Sequence, residues 1–134
     1  MILVDTNVLL DIATNDPRWA DWSIRQLEAA ALLGGLVVNE IAYAEFSVRF
    51  ERIEAVDAFI DEGGFQLEAT PRAGLFLAGK AFAAYRGRGG TRSGVLPDFL
   101  IGAHAAVAGY DLLTRDAARY RTYFPSVRLL VPSP

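Results

Sequence analysis

Asp5, Glu45, Asp98 and Asp116 stand apart from the other acids among the sixteen in this chain. Asp5 follows the apolar run Ile2-Leu3-Val4, Asp98 heads an almost wholly apolar stretch ending near Ala108, and Asp116 lies three residues beyond Leu113. Glu45 falls between Ile41 and Val48 on the apolar stripe of a helix, where a glutamate is almost never buried without a partner. An unpaired carboxylate there costs several kcal/mol, so it must meet a cation, a proton or a metal. Taken singly, each aspartate has a plainer reading: Asp98 and Asp116 as helix N-caps, worth about 1 kcal/mol each, and Asp5 as a strand-to-helix turn residue. Taken together they repel, by roughly 4 kcal/mol for two charges about 4 Å apart at an effective dielectric of 20. A hard divalent cation resolves that repulsion. With no cysteine and one histidine, the chain offers little to zinc and much to Mg²⁺ or Mn²⁺, which favour carboxylate and phosphate oxygens. Such a site points to phosphoryl chemistry, in which the ion activates a water and stabilises charge on phosphate.

These acids need a scaffold that gathers them. Met1 to Val4 reads as a strand apolar on both faces, as parallel sheets require, followed by a helix carrying Val8, Leu9 and Ile12. Thr14 to Pro17 is a turn, and Trp19 to Leu33 a long helix with Trp19, Trp22, Leu27 and the alanines on its inner face. A strand at Leu36–Val38 leads to Asn39, the expected N-cap of a helix from Glu40 to Val48. A helix over Ile53–Asp61, a strand over Phe65–Leu67 and a helix from Pro71 with Leu75, Ala78, Phe82 and Tyr85 in step come next. After the Gly- and Arg-rich loop Arg86 to Gly94, Pro97-Asp98 opens an apolar helix that must be central. A strand at Leu112–Thr114, a short helix or turn over Asp116–Tyr123 and a strand over Val127–Val131 close the chain. The alternation predicts an α/β three-layer sandwich, Rossmann-like, with a short, mostly parallel central sheet flanked by helices. Ligands in such folds gather at the carboxyl ends of the strands, where Asp5 and Asp116 fall.

Composition narrows the classes further. A length of 134 residues predicts a single domain over 1–134 with a real core, and 52% hydrophobic residues exclude disorder. Without cysteine there is no disulfide framework and no thiolate nucleophile. Met1 to Asp5 lacks the basic start of a secretory signal, and no apolar stretch approaches the roughly 20 residues that span a bilayer. An intracellular protein is the expectation. The net charge of -3 argues against nonspecific polyanion binding, yet of 13 basic residues only Lys80 is not arginine, and the guanidinium fork suits phosphate. Compositional bias explains that excess equally well. Glu40 and Glu51 read as solvated acids, and His104, on a buried Ala-rich helix, as a satisfied core histidine rather than an acid–base catalyst.

The segment from Met1 through Asp5-Thr6-Asn7 to Asp11 resembles the opening of PIN domains, the metal-dependent ribonuclease fold of VapC toxins in bacterial toxin–antitoxin pairs. The likeness continues through Asn39 to Phe46, Pro97 to Ala105, Leu113 to Asp116 and Tyr123-Phe124-Pro125, in order and along the whole chain. The resemblance implies that Asp5, Glu45, Asp98 and Asp116 are catalytic and bind one or two Mg²⁺ or Mn²⁺ ions, and that an activated water hydrolyses RNA. It implies supporting roles for Asn7 and Thr114; Asp11 matches the opening motif too, but a helical turn or more beyond Asp5 it is expected to support the local structure only. It also implies a VapB-type antitoxin as partner, pairing into homodimers, no membrane association and a bacterial cytoplasmic setting. Trp19, Trp22, Tyr43, Phe46 and Phe50 are either core or partner surface, with core packing the expectation for most.

Arg86, Arg88 and Arg92 either follow the RNA backbone or lie in a solvated connector. Two other readings stand beside the ribonuclease. A Mg²⁺-dependent phosphatase with an aspartyl nucleophile normally carries a second Asp two residues later, where this chain has Asn7. A non-catalytic PIN-like module would hold an ion or a basic partner without cutting RNA.

Overall fold

The computed structural model describes residues 1–92 and 94–133. Its elements run β1 (Ile2–Val4), α1 (Thr6–Ala13), α2 (Ala20–Leu33), β2 (Leu36–Asn39), α3 (Glu40–Ser47), α4 (Ile53–Glu62) and β3 (Phe65–Glu68). There follow α5 (Arg72–Gly87), α6 (Leu96–Ala108), β4 (Asp111–Leu113), α7 (Ala118–Tyr123) and β5 (Leu129–Leu130). The strands form one sheet in the order β3-β2-β1-β4-β5, and every neighbouring pair is parallel. Leu3 lies between Val37 of β2 and Leu112 of β4. The strands are short and apolar because helices cover both faces: Leu3, Val4, Val37, Val38, Leu112 and Leu113 are fully buried.

The strand order locates the site. From β1 the chain steps outward to β2 and β3, then returns to β4 on the other side and continues to β5. The order therefore reverses between β1 and β4, which opens a crevice at their carboxyl ends. Helix α6 crosses the core, with Phe99 and Ile101 to Ala105 all buried. Its close approach to the C-terminal segment requires Gly102, since a Cβ there would lie 2.4 Å from the Phe124 ring. The left-handed Gly109, at φ 71°, ends the helix and turns the chain into β4.

Several boundaries differ from the sequence reading for identifiable reasons. The closing strand is Leu129–Leu130 alone, because only the register Leu112↔Leu129 and Leu113↔Leu130 finds a partner at the edge of β4. Trp19 precedes α2 as its N-cap, while the expected inner face holds for the rest: Ala20, Ser23 and Ala30 are buried, and Trp22 and Leu27 pack half-buried against the core. Trp19 and Trp22 are half-buried edge to face at 6.0 Å, with the guanidiniums of Arg18 and Arg115 over the Trp19 ring. Phe46 is core, packed on Phe50 and Phe59 at 4.9 and 4.8 Å. Tyr43 is tied by its hydroxyl to Asp57.

Candidate active site

At the end of β1 the chain turns directly into α1, and Asp5 serves as N-cap by accepting from the Thr6 N–H at 2.7 Å. Its turn role and its place among the four acids are thus compatible. Its second oxygen accepts from the hydroxyls of Thr114 at 2.8 Å and Tyr120 at 2.9 Å, and from the Asn7 amide at 3.4 Å. Asn7 also donates to Thr114 and accepts from the Arg115 N–H, stitching α1 to the segment after β4. Asp5 is buried, and that burial pushes its carboxyl from 3.8 up to about 6. The two hydroxyls oppose the rise, and the charge of Asp98 adds to it.

The other three acids come from different elements. Asn39 caps α3 by accepting from the Ala42 N–H, and the helix carries Glu45 round to accept from the Thr6 hydroxyl at 2.7 Å. Glu45 is half-buried, so the apolar stripe that carries it lies at the rim of the core. Asp98 stands in the first turn of α6 and pairs with Arg119 of α7. Burial raises the Asp98 carboxyl above its ordinary value, the Arg119 guanidinium lowers it, and the charges of Glu45 and Asp116 raise it again. Asp116 is exposed beyond β4, where its N–H donates to Thr114 Oγ1 at 3.1 Å. Neither Asp98 nor Asp116 is a cap. The N-cap positions of α6 and α7 are Val95 and Ala117, without side-chain cap bonds.

All four acids line one cleft of about 440 Å³, together with Asn7, Leu10 and Arg49. A second lobe of about 560 Å³ shares Asp98 and Asp116 with the first, and Arg119, Arg92 and Thr91 are among its other walls. Among the described residues no three carboxylates stand close enough to grip one ion as they are. The acids form walls rather than a closed shell. The donor set nonetheless suits a hard cation: it is all oxygen, and Asp5 and Asp98 are both raised in part by neighbouring carboxylates.

Of the loop arginines only Arg92 lines this cleft. Arg86 is exposed, Arg88 lies over the Tyr123 ring at 5.5 Å, and Ser93 of the same loop lies outside the described residues. Two readings need correction. Glu40 is not simply solvated, because its carboxylate accepts from both the N–H and hydroxyl of Thr70, tying α3 to the turn after β3. His104 is core but only half satisfied. The Asn39 amide donates to Nδ1 at 3.2 Å, which leaves the ring proton on Nε2, without a hydrogen-bond partner among the described residues and 3.8 Å from Glu68.

Tyr120, Arg119 and Arg49 escape a reading that searches for acids. Tyr120 and Arg119 had one available signal, a spacing of four and three from Asp116, which sets neighbours on one helical face. Tyr120 is buried, and that burial, with Asp5 beside it, keeps its hydroxyl protonated well above the usual range. It therefore serves Asp5 as a donor. Asp11, deeper in α1, accepts from Arg115 Nε at 2.6 Å and Nη2 at 3.0 Å and from Ser23 at 2.9 Å.

Comparison with known proteins fits this architecture. A family model described as PIN domain matches residues 2–125. No curated protein matches the sequence. Among solved structures, VapBC2 from Rickettsia felis, bound to a DNA fragment from its promoter, is similar at a TM-score of 0.76 and 19% identity, covering 99% of this chain and 100% of that one. VapBC from Salmonella typhimurium, also DNA-bound, gives 0.71 and 16%, covering 97% and 96%. VapBC-1 from nontypeable Haemophilus influenzae gives 0.70 and 17%, covering 98% of each chain. Among the described residues no helix is long and apolar enough to cross a membrane.

Proposed function

The chain belongs to the PIN domain family, and from that premise we propose that it is a divalent-metal-dependent endoribonuclease, the VapC-type toxin of a toxin–antitoxin pair. The observation that carries this reading is the convergence of Asp5, Glu45, Asp98 and Asp116, from four separate segments, on one cleft at the switch point of the sheet. Four carboxylates facing a single crevice are costly without a cation, and PIN domains are generally nucleases.

Asp5, Asp98 and Asp116 would hold one or two Mg²⁺ or Mn²⁺ ions, with Glu45 as a further ligand or as the group that orients the attacking water. A bound ion would supply a nucleophilic water at neutral pH and offset charge on the phosphate. The chain's own residues do the positioning. Thr114 and Tyr120 fix one oxygen of Asp5 and the Thr6 N–H fixes the other, so the carboxylate cannot rotate. The Thr6 hydroxyl aims Glu45, and Asn7 holds the β4–α7 turn that carries Asp116. Arg92 in the adjoining lobe favours the RNA backbone over a neutral ligand.

The matched structures are described as VapBC complexes, which supports a VapB-type antitoxin as partner here. Residues 1–134 act as one domain, paired as a homodimer in a bacterial cytoplasm. The test is RNA cleavage with Mg²⁺ or Mn²⁺. Cleavage should stop with EDTA and in Asp5→Asn protein that remains folded; full activity in either case would refute the assignment, and a trapped phosphoenzyme would favour a phosphatase.

A further inference from the structure

Arg119 is a cation with uncommitted donors. Its side chain is only 17% exposed, it pairs with Asp98, and its guanidinium lies over the Tyr85 ring at 5.9 Å. A guanidinium has five N–H donors. Among the described residues Nη1 reaches Asp98, while Nε and Nη2 make no hydrogen bond. Arg115, four residues earlier, commits both Nε and Nη2 to Asp11. Those open donors are not sealed in the core, where among the described residues only His104 Nε2 lacks a partner; they face the lobe beside the acids that Arg119 lines, where a ligand can take the place of water. A phosphodiester brings the matching oxygens. Asp98 and Asp116 border both lobes, so a strand with one phosphate at the acids sends an adjoining phosphate towards Arg119.

We propose that Arg119 is a substrate-binding residue, whose guanidinium, parked on Asp98 in the free protein, grips the backbone phosphate next to the one that is cut. The proposal rests on the ribonuclease reading above. Arg119 offsets the repulsion of the acids for the incoming strand, and its free Nε and Nη2 form a fork that can take a phosphate in bidentate fashion.

Binding, free of turnover, tests it. The probe is a fluorescein-labelled single-stranded RNA, read by anisotropy across a KCl series at fixed Mg²⁺ with the Asp5→Asn protein, alone and with a second change. Adding Arg119→Ala should weaken binding about tenfold and flatten the slope of log K against log salt by about 0.7. Arg119→Lys keeps the charge but not the fork, so it should retain the slope and lose part of the affinity; it also carries the test should the alanine protein fail to fold. Arg121→Ala is the control, since it removes the same charge from an exposed position about 200° round the helix. Equal losses for Arg119→Ala and Arg121→Ala would reduce the effect to net charge and overturn the proposal. So would Arg119→Ala and Arg119→Lys proteins that bind as the Asp5→Asn protein does. If the Asp5→Asn protein binds no RNA at any salt, the ribonuclease reading falls too; binding that ignores Arg119 overturns this inference alone.

Discussion

Two aspartate–arginine pairs flank the β4–α7 turn, and they differ in what surrounds them. Asp11 and Arg115 are closed: two nitrogens of the guanidinium reach the two carboxylate oxygens, Ser23 donates to one of them, and the Trp19 ring lies 5.1 Å from the guanidinium carbon. Asp98 and Arg119 meet through one nitrogen in a cleft lined by three further acids. A carboxylate whose partners are all protein holds the fold together, whereas one left between a cation and other carboxylates is available to a ligand. The contrast lies in saturation rather than in residue type.

The largest expected effect breaks the closed pair. Asp11→Ala leaves Arg115 and Ser23 without their acceptor and should cost about 3 kcal/mol or more, read by denaturant unfolding; a loss below about 1 kcal/mol would erase the distinction. Next comes Asp5→Asn. The Asp5 carboxyl sits at about 6 when folded against 3.8 ordinarily, so its contribution to stability is full below pH 3.8 and is lost as pH rises through 6. In metal-free protein above pH 7 the buried charge costs about 3 kcal/mol. Asp5→Asn should therefore raise the metal-free melting temperature at neutral pH and flatten its decline between pH 4 and 6, whereas an unchanged profile would remove the electrostatic account of this residue. Arg119→Ala should alter stability by about 1 kcal/mol at most, because the open pair is partly solvated; a loss matching that of Asp11→Ala would make both pairs structural. The smallest expected effect is a slope. Burial lowers the His104 pKa while Glu68 and Glu40 partly oppose it, so its contribution is full above pH 6.5 and is lost as pH falls through the depressed folded value. His104→Gln should remove that acid-side loss in a thermal melt series.

Much of this contrast is legible in the sequence on the acid side. Asp5 is readable because Ile2-Leu3-Val4 can only be a buried strand, and Asp98 because it heads a helix so apolar that it must be central. Asn39 declares itself by preceding a helix at a strand end. The cationic side is hidden. Arg115 and Arg119 sit in a short polar segment that reads as surface, and nothing local shows that one meets Asp11 across more than a hundred residues while the other meets Asp98. Glu40 looks solvated for the same reason, since Thr70 reaches it only after the turn beyond β3 folds back. Contacts within one turn or strand end are written in neighbouring residues; contacts between elements are written in packing.

The most direct measurement is the rate of RNA cleavage in saturating Mn²⁺ by Asp98→Asn protein whose circular dichroism and melting match the parent. Asp98 borders both lobes, so the rate should fall by at least about a hundredfold. A rate within a factor of about two of the parent would mean that this cleft is not where RNA is cut.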